Sequence, residues 1–399
     1  MSMQYNNGMT PIRPLDAWGW KPDASPPIAA YIHVPFCRHR CGYCNFSLLA
    51  DRADLFDRYL SALERELAGL ESPRPVASIF LGGGTPSILP MPRMERLLGM
   101  LRHWLPLDAD GEWSMEANPL DIDRTQLQHW RALGVGRLSI GGQSFQAPKL
   151  QCLERDHSPE QLQQAIDHAL EIMDSVSLDL IFAAPEESLE GWQRDLDAAI
   201  ACGIQHVSTY GLTFEKGARF WADREFQRLT PVSEETELQM YLAAIDTLTA
   251  AGWEHYEISN FAKPGHRCRH NQAYWNGDAW WAFGPSAARY VGGVRSVNHR
   301  GTLTYLRRIE SDQSPIEERE VLDVQQQARE RFVFGMRQIE GVPWSRWREA
   351  LDADTRRAIE AVLAEHIAHG WMQYDGDRVR LTRAGLVLSD GLWHAYLNA

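Results

Sequence analysis

The sequence predicts an α/β fold: an open, incomplete barrel of six strand–helix units followed by a smaller, mostly helical module. Three observations predict it. Short apolar runs alternate with amphipathic stretches from residue 29 to about residue 256. Polar residues gather where those runs end, the end at which parallel sheets bind ligands. A helical period then returns near residue 321, in a chain whose 399 residues are long for one domain of ordinary size.

Strands are expected at residues 29–33, 76–82, 112–117, 137–140, 176–182 and 206–212. Helices are expected at 55–70, 94–104, 125–133, 161–173 and 189–201, where apolar residues recur at three- and four-residue steps, as in Leu162, Ala165, Ile166, Ala169 and Leu170. Near-continuous apolar strands alternating with helices imply a parallel sheet with helices outside it. A closed barrel of eight units is the competing geometry. A further helix at 234–251 precedes an extended segment at 254–258. Residues 261–301, rich in Gly, Asn, His and aromatics, read as an irregular functional loop region. Helices at 325–336 and 355–369, strands at 372–374 and 379–381 and a terminal helix at 384–397 follow. That order is winged-helix-like, and its acidic residues favour a packing module over a DNA reader. The expected divisions are a loose leader at 1–27, the barrel at 28–260, a linker and ligand region at 261–320 and the helical module at 321–399.

The net charge of −13 argues against nucleic-acid partners, since an acidic chain gains nothing from counterion release. Apolar residues at 44% suffice for a packed core. No run approaches the length of a membrane span. The polar, proline-bearing leader holds no signal-peptide stretch. Six cysteines, three of them clustered, point to a reducing compartment and hence to the cytoplasm.

Those three are Cys37, Cys41 and Cys44, spaced C-x3-C-x2-C. Three thiolates can hold three irons of a four-iron cluster. Such clusters normally take four cysteines, so a site with three implies a second molecule on the open iron. Zinc or structural cysteines are the alternative, but zinc sites usually pair C-x2-C with a distant second pair, and none exists here. Gly82-Gly83-Gly84-Thr85 follows the second strand and lets a ligand approach the backbone. Glu116 and Gln143 end the third and fourth strands, and Asp179 lies within the fifth. An isolated strand Asp needs a partner. Arg155 is the candidate, either for Asp179 or as a clamp for a ligand carboxylate. Together these residues describe a pocket for a charged, amino-acid-like molecule with a ribose.

This combination resembles the radical S-adenosylmethionine (SAM) superfamily, whose fold is a partial (α/β)6 barrel. The resemblance makes Cys37, Cys41 and Cys44 ligands of a [4Fe-4S] cluster whose fourth iron is chelated by SAM. It makes Tyr31, Tyr43, Gly83, Gly84, Thr85, Glu116, Gln143, Arg155 and Asp179 the SAM-binding set. Within the superfamily the chain resembles the oxygen-independent coproporphyrinogen-dehydrogenase-like family, over nearly its whole length. The most specific segments are Phe80-Leu-Gly-Gly-Gly-Thr-Pro-Ser, Leu138-Ser-Ile-Gly-Gly-Gln-Ser-Phe, His255-Tyr-Glu-Ile-Ser-Asn-Phe-Ala and His270-Asn-Gln-Ala-Tyr-Trp. The last is an HNxxYW signature, associated in the family's heme-chaperone branch with heme binding. The dehydrogenases usually carry another cysteine two residues after the third ligand; Phe46 stands there, which favours the chaperone branch.

The resemblance therefore implies a protein that binds heme through His270, Asn271, Tyr274 and Trp275 and passes it to a target protein. The alternative is a radical SAM enzyme, an oxygen-independent coproporphyrinogen dehydrogenase or class C methyltransferase, working through a 5′-deoxyadenosyl radical. His266 and Cys268 are further candidate iron ligands. Read from the residues alone, His270 and Asn271 cap a turn and the aromatics are core. Arg267, Arg269, Arg289, Arg295 and Arg300 either meet heme propionates or form a solvated basic rim. Two departures stand out. The branch usually follows the fifth strand with Gly-Leu-Pro-Gly, where this chain has Ala183-Ala-Pro-Glu186. A Gly-x-Gly-Ala-His-like segment is replaced by Gly284-Pro-Ser-Ala-Ala288. The lost glycines are expected to stiffen or reshape the pocket rim, and the lost histidine removes a polar contact.

Overall fold

The computed structural model describes residues 26–399, so all but the last two residues of the expected leader lie outside it. Its centre is six parallel strands in sequence order: β1 (Ala29–Val34), β2 (Val76–Gly83), β3 (Leu107–Ala117), β4 (Arg137–Gln143), β5 (Ser175–Phe182) and β6 (His206–Gly211). Helices α1 (Phe56–Ala68), α2 (Met91–Trp104), α3 (Arg124–Ala132), α4 (Pro159–Ile172) and α5 (Leu189–Ala201) connect them. The register runs without a break along β1, from Ala29 opposite Ser78 to Val34 opposite Gly83.

Side chains alternate across a strand. One face carries Ile79, Leu81, Met115, Leu138, Ile140, Leu178, Leu180 and Val207, which pack in one core with Leu97, Leu101, Leu127, Trp130, Leu162, Ile166 and Leu196 of the helices. Burying each such leucine stabilises the fold by about 2 kcal/mol. The other face carries Ser78, Glu112, Glu116, Ser139, Ser177, Asp179, Ser208 and Tyr210. The strands are thus apolar on one side only. The helices cover that side, while the inner side carries the polar groups of the site.

The sheet grows at both edges. After helix α6 (Glu234–Ala250), strands β7 (Glu254–Glu257) and β8 (Asn260–Ala262) form an antiparallel pair beside β6. Beyond helix α7 (Arg269–Trp275), β9 (Trp280–Phe283) joins β1 in parallel. Then β10 (Ala288–Val291), β11 (Val294–Asn298) and β12 (Ile316–Val321) continue outward antiparallel. The twelve strands run β12-β11-β10-β9-β1-β2-β3-β4-β5-β6-β8-β7, an open order with β12 and β7 at the edges. Residues 261–301 are therefore not the irregular loop region expected from composition. They hold a helix and strands of three to five residues, too short to raise a periodic signal among turn-forming residues.

Glu66 of α1 pins this extension. Its carboxylate accepts from Gly284 N, Arg289, Asn298 and Tyr305, with Glu66 and Arg289 wholly buried. The C-terminal region is mostly helical, with helices at Val324–Gly335, Trp344–Ala350, Ala353–Ala368, Arg383–Leu386 and Ser389–Leu397. A three-stranded sheet of Val342–Pro343, Arg378–Leu381 and Met372–Tyr374 completes it. The expected single terminal helix is two, broken after Leu386. No described helix is long and apolar enough to cross a membrane.

Candidate functional site

Beyond β1 the chain makes the short strand Phe36–Cys37, paired in parallel with Leu49–Ala50; Cys37 ends the first of these strands, and Cys41 and Cys44 lie on the loop between. Cys44 N donates to Cys41 O at 3.0 Å. Arg40 gathers the loop by donating to the carbonyls of Cys44, Phe46 and Leu48. The glycine turn docks alongside: Gly84 N donates to Val34 O at 2.9 Å and Thr85 N to Phe36 O at 2.7 Å. A Cβ on Gly84 would lie 2.6 Å from Phe36 O, and Gly83 adopts φ +105°, so this approach requires glycine at both positions.

A cavity of about 620 Å³ opens over this junction. Cys37, Cys41 and Cys44 line it with Tyr43, Gly83, Gly84, Thr85, Glu116, Gln143, Arg155 and Asp179. Cys37 Sγ is 3.2 Å from Thr85 Oγ1, and Arg155 reaches Cys41 Sγ at 3.7 Å and Gly141 O at 2.8 Å. Burial pushes the Cys37 thiol up to about 12, Thr85 pulling the other way. Glu116 accepts from Gly83 N at 3.0 Å. Burial first, then the charge of Asp179, raises its pKa to about 8. Asp179 rises to about 6 through burial, against hydrogen bonds from Ser208 and Ser139. The expected Arg155 partnership is not direct. Asp179 takes its hydrogen bond from Ser139 at 3.1 Å, while Arg155 donates to Gly141 O of β4 and to Cys41 Sγ.

Tyr31 does not line this cavity. Its hydroxyl meets His33 Nδ1 at 3.1 Å, and both residues wall a second cavity of about 580 Å³. The second cavity is largely aromatic, with Phe46, Tyr274, Trp275, Trp280 and Phe334, and carries Glu215 and Arg300. Gly83, Glu116, Asn45 and Phe46 line both spaces. The HNxxYW segment is divided. Tyr274 and Trp275 line the second cavity, whereas His270 and Asn271 line neither. His270 is buried in the barrel floor, its Nδ1 3.1 Å from Ser78 Oγ and its Nε2 2.8 Å from Tyr274 OH. Cys268 is buried near Glu112, and His266 bonds Ser175. The floor is a polar plug that continues through Tyr256, His206 and Ser177.

Residues with a Cβ stand at three rim positions where the resemblance leads one to expect glycine. Ala183, Glu186 and Ser286 adopt φ of +62°, +63° and +63°. The backbone keeps the left-handed conformation that glycine takes freely, at about 1 kcal/mol for each residue with a Cβ. Ala288, at the position where the resemblance leads one to expect histidine, lines the aromatic cavity. Sequence reasoning missed Tyr210, Arg337 and Asp390, all on the cluster cavity wall. Tyr210 alternates in phase with Ser208, a signal present in β6. Arg337 sits 4.6 Å over the Trp275 ring and 3.9 Å from Asp390. Helical period cannot reveal which face of the C-terminal region docks.

Comparison with known proteins bears on this geometry. The Radical SAM superfamily profile matches residues 31–199, and the HemN C-terminal domain profile matches residues 322–388. Proteins named heme chaperone HemW are similar along almost the whole chain. That of Mycobacterium tuberculosis is 37% identical over 96% of this chain and 98% of its own. The chain belongs to the HemW family. The Bacillus subtilis HemW is 32% identical over 93% of this chain and 99% of its own. The solved structure of Escherichia coli coproporphyrinogen III oxidase (HemN) has the same fold, with TM-score 0.84 at 24% identity over 96% of this chain and 92% of that one.

A HemW-family radical SAM protein carries a [4Fe-4S] cluster and SAM, and the residues present fit both. All three thiols are free and line one cavity. No group of three His, Cys, Asp or Glu among the described residues closes on a single-ion point. A cubane instead spreads its thiolates over separate irons. Arg155 Nε is a buried donor with no hydrogen-bond partner among the described residues, and a ligand carboxylate on the same wall satisfies such a group.

Proposed function

We propose that this protein is a heme chaperone that holds a [4Fe-4S] cluster on Cys37, Cys41 and Cys44, binds SAM beside it, and carries heme in the adjoining aromatic cavity for transfer to a target protein. The observation that carries the reading is the shared wall: an aromatic chamber of about 580 Å³ abuts the thiol-lined cavity through Gly83 and Glu116. The size lies within the ordinary range for small-molecule sites. The names of the similar HemW proteins support the same reading.

Tyr43, Gly83, Gly84, Thr85, Glu116, Gln143, Arg155 and Asp179 form the SAM-binding set, and the wall positions of all eight support this. When bound, the cluster supplies one-electron reduction of SAM. The chain's own part is to position and exclude. Gly83 and Gly84 bring the backbone close, Arg155 offers a guanidinium to a carboxylate, and Glu116 and Asp179 offer acceptors. Tyr274 and Trp275 offer ring faces to a porphyrin, with His270 setting the Tyr274 hydroxyl. We divide the chain into barrel (28–260), ligand-bearing extension (261–320) and helical module (321–399). The six free cysteines support a cytoplasmic setting.

Hemin titration of the cluster-reconstituted protein tests the proposal, followed by absorbance. Saturable binding that weakens in His270→Ala is expected. Absence of saturation rejects it; equal affinity in the variant removes only the contribution of the His270–Tyr274 bond.

A further inference from the structure

We propose that Arg300 is the carboxylate anchor of the aromatic cavity, gripping one propionate of a tetrapyrrole whose ring system lies among Tyr274, Trp275 and Trp280. The inference rests on the reading above and adds the residue that selects an acid-bearing macrocycle over a neutral one.

Five arginines lie in or near the segment that builds the cavity, and the structure sorts them. Arg267 is held by Glu254 at 2.8 Å and Glu340 at 2.6 Å. Arg269 meets Asp110 at 3.5 Å, and Arg289 is wholly buried against Glu66 at 3.0 Å. Arg295 is shared by Glu320 and Glu330. Arg300 alone of the five lines the cavity. Its guanidinium donates to the backbone carbonyl and, at 2.9 Å, to the side-chain oxygen of Asn45, both neutral acceptors. Glu317 takes the Arg300 backbone N–H and approaches the His299 ring, not the guanidinium. Among the described residues no carboxylate pairs with that guanidinium, so its remaining N–H groups are free to meet a ligand carboxylate two-pronged.

The rest of the chamber suits the same ligand class. Its lining is rich in aromatic rings, Tyr274 standing edge-on to Trp275 and Trp280, an apolar surface that suits a macrocycle. Its other carboxylate near this end, Glu215, is occupied by Asn45 Nδ2 at 2.9 Å. Asn45 thus accepts from Arg300 and donates to Glu215, separating the two charges and fixing the direction of each. Ala288, with a single methyl, leaves room on the same wall.

The experiment compares hemin with hemin dimethyl ester, titrated into the full cluster-bearing chain as wild type, Arg300→Gln, Arg300→Lys and Arg295→Gln. A charge-assisted pair predicts that Arg300→Gln binds hemin about tenfold or more weakly and binds the diester as wild type does. Arg295→Gln, which removes a charge already neutralised, leaves both unchanged. Equal hemin affinity in wild type and Arg300→Gln overturns the proposal while leaving the heme reading intact. So does an equal loss for hemin and diester. Should Arg300→Gln lose cluster iron through Asn45, Arg300→Lys decides: it keeps the charge but not the fork, and a several-fold loss confined to hemin is expected. Wild type that binds neither compound overturns both readings.

Discussion

His270 and Tyr274 are joined tip to tip, with the imidazole Nε2 2.8 Å from the phenol oxygen across one helical turn of α7. The other ring nitrogen meets Ser78 Oγ at 3.1 Å, and the ring stacks on Phe80. Burial lowers the His270 pKa to about 3, so the ring is neutral throughout the physiological range. Both its nitrogens are engaged within the protein, and Tyr274 is the member that reaches the cavity.

His270→Ala leaves the buried Ser78 hydroxyl and the half-buried Tyr274 hydroxyl without this partner. A loss of about 2 kcal/mol in stability is expected, checked by urea unfolding. Tyr274→Phe keeps the histidine in place. If His270 acts through Tyr274, hemin affinity falls in both variants, with the larger stability loss confined to His270→Ala.

Glu116 gives the metal-free chain a pH signature. Its folded pKa, raised by burial and then by Asp179, stands at about 8 against an ordinary 4.5. Between those values the folded chain holds a proton that the unfolded chain has lost. Stability conferred by this group is therefore complete below 4.5, falls as pH rises across the window and levels off above about 8. Asp179 contributes the same sign up to about 6. Glu116→Gln is expected to flatten thermal unfolding midpoints between pH 6 and 8, as read from melts of the apo chain across that range.

Ala183 holds φ +62° beside the cavity. Replacing it with glycine removes the Cβ penalty of the left-handed region and costs some unfolded-state entropy. The buried methyl also leaves the core, at about 0.8 kcal/mol, so the terms nearly cancel and Ala183→Gly is expected to change stability by less than about 0.5 kcal/mol. Denaturant unfolding measures it, and a loss of about 2 kcal/mol or more contradicts the assignment.

Gly84→Ala has the opposite outcome. The new Cβ meets the backbone of Phe36 and Val34 at 2.6–2.7 Å, and backbone cannot swing aside as a side chain does. Separation of the glycine turn from the cluster loop is expected. The readout is lower iron per chain after reconstitution and a weaker change in the paramagnetic spectrum on adding SAM.

Much of this was legible in the residues because local pattern and position carry it. The six parallel strands and their helices announce themselves by apolar runs and helical period, and the polar residues at strand ends fall on one wall because the strands are parallel. Tyr31 was not separable from the cluster set by sequence. Its strand enters the cluster loop and its ring faces the inner side, but β9, which sequence did not reveal, pairs with β1 there and encloses Tyr31 in the neighbouring chamber. The Arg155–Asp179 pairing failed because charge types do not reveal which serine lies closer. Strands β9, β10 and β11 hid in a glycine-rich composition; they are pinned by Arg289 of β10 on the buried Glu66, a residue remote in sequence. Positive φ at Ala183 and Glu186 was invisible for the same reason: the surrounding fold imposes it against local preference.

Asn45 sits one peptide bond from Cys44, holding Arg300 with one end of its amide and Glu215 with the other. On the proposed assignments, Asn45 is a pivot shared by cargo and cofactor sides. Loading of Arg300 is then expected to reach Cys44 along the main chain, read as a change in the cluster's paramagnetic spectrum on adding hemin.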